Sequence, residues 1–134
     1  MQAMLTTLLA LTTLVGPGRT PQDEHRALFD AIHQVETDGR HHVVGDGGRS
    51  RGPYQISAAY WKDACRHGGV NWSYSRHVWS RPHCEQVMKW YWDRYDARTD
   101  QQRARIHNGG PSGHRKSSTL RYWYKVRREL ARRR

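Results

Sequence analysis

The stretch ARIHNGGPSG, Ala104 to Gly113, is the most informative part of the sequence. It predicts a short helix, Asp100 to Ile106, that runs into a polar turn at Asn108-Gly109-Gly110-Pro111, because glycines followed by proline do not continue a helix. A second glycine-rich segment, Gly45 to Ile56, precedes it by about fifty residues and reads GDGGRSRGPYQI. A lone acid, Glu36, closes a helix-like segment upstream of both.

The helix that carries Glu36 is predicted from the spacing of its apolar residues. Thr20-Pro21-Gln22-Asp23 has the features of a helix start: a capping threonine, a proline in the first turn and an acid. Apolar residues then recur at three- and four-residue steps, at Leu28, Phe29, Ile32 and Val35. Gly39 follows where a helix can end, so Glu36 is expected in the last turn, near the apolar face.

The other segments predict one β-hairpin among helices. The hairpin covers residues 42–56, with Val43-Val44 as a strand and Gly45 to Gly48 as the turn. Further helices are predicted after the capping Ser57, from Pro82 onward, and from Ser117 or Ser118, with residues 70–81 irregular. The helix from Pro82 is expected to place Cys84, Val87, Met88, Tyr91 and Tyr95 on one face, and the last helix to bury Leu120, Trp123, Val126 and Leu130. The fold class is therefore a small, mostly helical α+β domain.

Length and composition limit the class of protein. A chain of 134 residues is one domain, which we assign to residues 20–134, and residues 1–19 are assigned to a leader. Met4 to Val15 is apolar or threonine throughout, too short to span a bilayer and typical of a signal-peptide core. We therefore expect export, a secreted or cell-envelope location, no stable membrane insertion, and a monomer.

Charge and cysteine content add two expectations. Twenty-three basic against 12 acidic residues give a net charge of +11, which favours a polyanionic partner such as nucleic acid, an anionic membrane or an acidic wall polymer. The basic end of the chain, Arg127 to Arg134, is also explained by a solvated tail. Cys65 and Cys84 fit one disulfide in an exported protein, and two buried thiols are the alternative.

Two acids in contrasting surroundings fit the chemistry of glycoside hydrolysis. That reaction needs one carboxyl group that stays protonated to donate to the leaving oxygen and one carboxylate that stabilises or attacks the sugar cation. Glu36 has Phe29 and Ile32 as neighbours on its helix, and desolvation there raises a carboxyl pKa. Asp46 lies among glycines in a polar turn. A helix-end surface acid and a turn former explain the same two residues without any chemistry.

From about Ala31 to Val126 the chain resembles the invertebrate-type lysozymes, the family that includes destabilase. The resemblance is carried by Val35-Glu36-Thr37, Gly52-Pro53-Tyr54-Gln55-Ile56, Tyr60-Trp61, Tyr95 and Ala104 to Gly113, and extends through Ser118-Thr119 and Tyr122-Trp123. It implies a lysozyme-like fold and an exported muramidase that cleaves peptidoglycan without a cofactor. Glu36 falls on the family's general acid, and Asp46 on its second carboxylate.

The chain also departs from the family pattern. Family members are usually rich in disulfides, whereas this chain has two cysteines. The spacing between Asp46 and Gly52 is about a residue shorter than in animal members, and Ser57 replaces a frequent lysine. The natural residues to line a glycan cleft are Tyr54, Gln55, His107, Asn108 and Gly109, since planar amides and imidazoles bind sugar hydroxyls and glycines let a glycan approach closely.

Three alternatives remain open at the level of sequence. A binding protein for cell wall or polyanions could retain the fold without the chemistry, and the basic tail could bind nucleic acid, although we expect no specific nucleic-acid partner. Some family members are linked to an isopeptidase activity, for which Ser50 and His107 are the residues present. His33, His41 and His42 lack the spacing of a zinc site, so we expect no metal.

Overall fold

The computed structural model describes residues 24–133, which form six α-helices around a short hairpin. The helices are α1 (Arg26–Thr37), α2 (Ala58–His67), α3 (Tyr74–His77), α4 (Arg81–Arg94), α5 (Asp100–Gly109) and α6 (Leu120–Arg133), and the strands are β1 (Val44–Gly45) and β2 (Ser50–Arg51). Helix α1 packs against α6, α2 packs against α4, and α5 contacts both α4 and α6. This confirms the predicted small, mostly helical α+β domain with one hairpin. Within residues 24–133, no helix combines the length and apolarity needed to cross a membrane.

Side-chain caps explain where most helices begin. Ser57, Ser73 and Ser80 each accept a hydrogen bond from a backbone N–H in the first turn of the helix that follows. Thr99 forms a capping box with Gln102, which closes the N-terminus of α5 from both directions. The predicted cap at Ser57 is confirmed, and the predicted start near Pro82 is confirmed to within one residue.

Three boundaries differ from the prediction. Helix α1 begins at Arg26, with Glu24 and His25 in a turn, and the proposed start at Thr20–Asp23 lies outside the described residues. Residues 74–77, which were predicted to be irregular, form α3. A helix of four residues is too short to show a periodic pattern in the sequence. Helix α5 continues through Gly109, so the polar turn begins at Gly110, where φ is +83°.

The core is built mainly from large side chains of α1, α2, α4 and the segment before α2. Phe29 stacks on Trp92 with ring centroids 5.4 Å apart, which joins α1 to α4. The largest fully buried side chains are Trp61, Tyr54, Phe29, Leu28, Ile32, Ile56, Met88, Ile106, Val78, Val87 and Val126. On α6, Trp123, Val126 and Leu130 are buried as predicted, whereas Leu120 is only partly buried.

A network of charges that the sequence did not reveal fixes α1 and α4 to the segment before α2. Glu85 is 7% exposed and forms an ion pair with Arg26. The Tyr54 hydroxyl donates to Glu85 Oε2 at 3.1 Å and accepts from Arg81 Nε at 3.0 Å, and Arg81 Nη2 donates to Asp30 Oδ1 at 2.6 Å. Every member has a partner, which is the condition under which buried charge is tolerated.

The hairpin is anchored by a close backbone contact. Strands β1 and β2 pair antiparallel, with Val44 opposite Arg51 and Gly45 opposite Ser50. Gly52 then adopts φ +80°, and a Cβ atom there would lie 2.0 Å from the Val78 carbonyl oxygen. Only glycine satisfies both conditions, so Gly52 lets the chain leave β2 against the end of α3.

The predicted disulfide is not formed in this structure. Cys65 on α2 and Cys84 on α4 are both buried and both free. The Cys84 thiol donates to the Val78 carbonyl oxygen at 3.0 Å, whereas the Cys65 sulfur lies beside the backbone of Trp72. Each thiol therefore occupies its own place in the helix packing, which is the alternative of two buried thiols.

Candidate active site

Glu36 lies in the last turn of α1, as predicted, and is partly buried. Desolvation of its carboxyl group is the largest influence and raises its pKa to about 7, and the negative charge of Asp46 acts in the same direction. The Tyr122 hydroxyl and the Lys125 ammonium, both on α6, oppose this rise. A carboxyl with this pKa is largely protonated in mildly acidic solution and can act as a proton donor.

Asp46 lies at the tip of the hairpin, between β1 and β2. It adopts a left-handed backbone conformation with φ +51° and is exposed to solvent. Its Oδ2 accepts a hydrogen bond from Ser50 Oγ at 2.7 Å, which orients the carboxylate. The charge of Asp46 contributes to the raised pKa of Glu36, so the two carboxyl groups lie within electrostatic range of each other.

A cleft of about 370 Å³ lies between the hairpin and α5. It is lined by Ser50, Gln55, Ser57, Ala59, Tyr60, Asp63, Tyr91, His107, Asn108, Gly110 and Pro111. Glu36 and Asp46 are not among the lining residues, but each is close to one: Asp46 is bonded to Ser50, and Glu36 influences the buried Tyr60 hydroxyl. Asp46 is thus joined to the cleft wall through Ser50, and Glu36 lies within electrostatic range of Tyr60.

His107 forms part of the cleft wall but uses both ring nitrogens inside the protein. Its Nε2 lies 2.9 Å from the Tyr54 carbonyl oxygen, which can only accept, so Nε2 carries the proton. Its Nδ1 then accepts from the Tyr60 hydroxyl at 3.1 Å. Burial lowers the pKa of His107 to about 4, so the ring is neutral and positions Tyr60 rather than a ligand.

Gln55 and Asn108 line the cleft as predicted, in different ways. The Gln55 amide nitrogen donates to the carbonyl oxygens of Val43 and Gly52, each at 3.0 Å, so Gln55 also holds the hairpin loop. Asn108 lies in the last turn of α5 with an exposed side chain on the cleft. Of the two, Asn108 is the one whose amide is turned to solvent.

Two predicted cleft residues lie elsewhere. Tyr54 is fully buried, and its hydroxyl belongs to the Glu85–Arg81 network, so the expectation of a sugar contact by its ring does not fit this structure. Gly109 is packed against Thr119, whose Cγ2 would lie 2.5 Å from an added Cβ, and its carbonyl oxygen accepts from Lys116 Nζ at 2.7 Å. The cleft instead gains Tyr60, Asp63 and Tyr91, whose role only the three-dimensional packing reveals.

Ser50 and His107, the residues considered for an isopeptidase activity, are not hydrogen-bonded to each other. Ser50 donates to Asp46, and both nitrogens of His107 are occupied by Tyr60 and the Tyr54 carbonyl. His33 is bonded to the Arg40 carbonyl oxygen through Nε2 at 2.9 Å. In the described part of the chain, no group of three histidine, cysteine or acidic residues is arranged to hold a metal ion.

A helical domain of this shape, with an acid at the end of α1 and another on the hairpin, is a lysozyme-like domain. The Destabilase family model matches residues 26–129, and the chain belongs to this family. It is 38% identical over 82 residues to lysozyme 1 of Crassostrea virginica and 40% identical over 80 residues to the invertebrate-type lysozyme of Ruditapes philippinarum. These matches cover 58% of this chain in both cases, and 43% and 58% of the relatives' own length.

Solved structures show the same fold. The inhibitor-bound lysozyme from Meretrix lusoria superposes with a TM-score of 0.67 at 29% identity, covering 77% of this chain and 88% of that one. The lysozyme of Tapes japonica gives a TM-score of 0.65 at 26% identity, covering 75% and 86% of the two chains. The family expected from the sequence motifs is therefore confirmed.

Proposed function

We propose that this chain is a muramidase, a glycoside hydrolase that cleaves the glycan strands of peptidoglycan. The observation that carries the proposal is the pairing of Glu36, whose pKa is raised to about 7 by burial, with Asp46, an exposed acid beside the same cleft. This division of roles between two carboxyl groups is the one described for another class of lysozyme, whose pattern we adopt. The relatives named lysozyme support it.

In the proposed reaction Glu36 donates its proton to the glycosidic oxygen. The bond between that oxygen and the anomeric carbon breaks, and the leaving sugar departs as a neutral alcohol. Positive charge develops on the remaining ring, where the Asp46 carboxylate stabilises it, oriented by Ser50. A water molecule supplies the hydroxyl that completes hydrolysis and returns a proton to Glu36.

The cleft residues would bind the glycan on either side of this bond. The Asn108 amide is exposed and can bond sugar hydroxyl or acetamido groups. Tyr60 and Tyr91 stack with centroids 3.7 Å apart and form a rigid aromatic wall next to Glu36. Asp63, which accepts a hydrogen bond from the Tyr95 hydroxyl, is the acid among the residues that line the cleft.

The test is to digest purified peptidoglycan and identify the new reducing end by mass spectrometry. A muramidase produces N-acetylmuramic acid at that end. A new reducing end at N-acetylglucosamine would assign a different glycosidase, and no new reducing end would indicate a binding protein on the same fold. A heat-denatured sample serves as the control for contaminating activity.

A further inference from the structure

We propose that the solvent-facing side of α6 is a docking surface for a linear phosphodiester polymer of the cell wall, of the polyol-phosphate type. This α6 basic face consists of Arg121, Tyr124, Lys125, Arg127 and Arg128, all exposed. The identity of the occupant rests on the proposed function, since the glycan of the wall carries such polymers close to the bond to be cleaved. The surface itself rests on the structure alone.

The face arises from the periodicity of α6. With 3.6 residues per turn, Arg121, Lys125 and Arg128 lie in one row, and the buried Trp123, Val126 and Leu130 lie on the opposite side. The apolar row is buried where α6 packs against α1 and α5. The basic row covers roughly 10 Å along the helix axis at 1.5 Å per residue.

The charges on this face are not neutralised within the protein. From Arg121 to Arg133 the helix has six basic residues and one acid, Glu129, which pairs with Arg132 and Arg133. Among residues 24–133, Arg121, Arg127 and Arg128 form no ion pair with an acidic side chain. Like charges three and four residues apart destabilise a helix, and a bound polyanion would reduce the repulsion within this row.

The shape of the face favours a flexible polymer over a bilayer. Arg127 lies over the Tyr124 ring at 5.2 Å, and both line a shallow groove with Arg128 and Ala131. Guanidinium groups match phosphate oxygens in a bidentate manner. A membrane-surface helix needs an exposed apolar face, and here Tyr124, 50% exposed, is the one large apolar side chain of α6 that projects strongly into solvent.

The position of the face connects it with the candidate active site. Lys125 belongs to the face and is close enough to Glu36 to lower its pKa. Because α6 also packs against α1, whose last turn holds Glu36, a polymer bound along the row passes near Glu36. This neighbourhood favours a wall polymer over nucleic acid as the occupant.

The test compares two double variants with the same net charge. Arg121→Gln/Arg128→Gln removes two charges from the face, and Arg66→Gln/Arg76→Gln removes two exposed charges from α2 and α3. Both are made in the Glu36→Gln background, and their binding to purified poly(glycerol phosphate) is measured from low to physiological salt. Equal melting temperatures confirm that both fold.

The face variant is expected to bind on the order of tenfold more weakly at low salt, with the slope of log K against log salt reduced by about 1.4, roughly 0.7 per lost phosphate contact. The control is expected to match the parent. Equal losses in both variants, or no loss in either, would overturn the proposal. Tighter, Arg121- and Arg128-dependent binding to phosphatidylglycerol vesicles or to single-stranded DNA would overturn the choice of occupant.

A lysis assay separates this proposal from the proposed function. With Glu36 present, the face variant should digest peptidoglycan stripped of phosphodiester polymer at the parental rate and lag only on intact walls. An equal lag on both substrates would contradict the proposal. If the parent itself fails to cleave stripped peptidoglycan, the proposed function is overturned, and the binding comparison still decides whether the face binds the polymer.

Discussion

At the scale of single residues, the immediate surroundings of Glu36 set its chemistry. The Tyr122 hydroxyl is buried and forms no hydrogen bond of ordinary geometry. It lies beside the Glu36 carboxyl group and favours the charged form of that group. A hydroxyl beside a carboxyl group donates a stronger hydrogen bond to the carboxylate than to the neutral acid, because the acceptor is then charged. Tyr122 would therefore stabilise the carboxylate left after proton transfer, in balance with burial and the charge of Asp46.

Replacing Tyr122 with phenylalanine tests this balance. Loss of the hydroxyl should raise the pKa of Glu36 above about 7, because one of the two groups that stabilise its carboxylate is gone. The pKa is read directly by NMR of a ¹³C-labelled glutamate, and the basic limb of the pH–rate profile should move upward with it. Tyr124→Phe, an exposed tyrosine on the same helix, is the matched control. An unchanged Glu36 pKa in Tyr122→Phe would rule out the contact.

The pH dependence of stability follows from Glu36 and His107 together. His107 has a pKa lowered by burial from 6.5 to about 4, so the folded state loses stability as the pH falls through this range. Glu36 has a pKa raised from 4.5 to about 7, so its contribution is present at low pH and lost as the pH rises. The two effects oppose each other between about pH 4.5 and 6.5.

Glu36→Gln should therefore reveal how the histidines contribute to the pH dependence of stability. In this variant the free energy of unfolding should rise between about pH 4 and 6.5 by on the order of 3 kcal/mol, whereas the parent changes less. Burial also lowers the pKa values of His25, His33 and His83, which act in the same direction as His107. Urea unfolding at several pH values measures the slope, and equal slopes in parent and variant would contradict the assignment.

At the scale of elements, the junction between the hairpin and α3 depends on Gly52. Gly52→Ala should destabilise strongly, because an added Cβ would lie 2.0 Å from the Val78 carbonyl oxygen and the backbone has φ +80°. Gly69→Ala is the control: its φ is +71°, but nothing lies within 4 Å of an added Cβ. The control should lose about 1 kcal/mol from backbone strain alone, and thermal unfolding that ranks the two equally would show that the contact with Val78 is unimportant.

The packing of α2 and α4 predicts the state of the two thiols. Both cysteines are buried and free, and desolvation raises both pKa values, so neither should react quickly in the folded protein. After denaturation without reductant, Ellman titration should count two thiols per chain. A count of zero would restore the disulfide expected from sequence and would require α2 and α4 to move.

Most elements could be predicted from sequence because their signals are local. Ser57 caps α2 and the glycine-rich turn closes the hairpin, since both depend on neighbouring residues. Helix α3 was missed because four residues carry no period. Helix α5 was predicted too short because it continues through Gly109, a residue that packs against Thr119. Tertiary contacts override local propensity at these places.

At the scale of the whole molecule, the surroundings of Glu36 could be predicted from the sequence more accurately than the residues that line the cleft. Glu36 was predicted from the apolar face of its own helix, and the structure bears out its burial. Tyr54 was expected in the cleft because sugar faces stack on aromatic rings, but its hydroxyl donates to Glu85 of α4, thirty-one residues away. A buried charge network assembled from distant segments leaves no pattern in the sequence, so Glu85 was not foreseen.

Glu36 is the proposed proton donor, and Glu36→Gln tests this role most directly. The amide keeps the shape and removes the acid, so the turnover of purified peptidoglycan should fall by on the order of 10²–10⁴-fold while binding to the wall persists. Asp38→Asn, which removes the neighbouring acid at the helix end, should keep parental activity, since asparagine tolerates its φ of +53°. Near-full activity of Glu36→Gln, as judged by new reducing ends, would contradict the account.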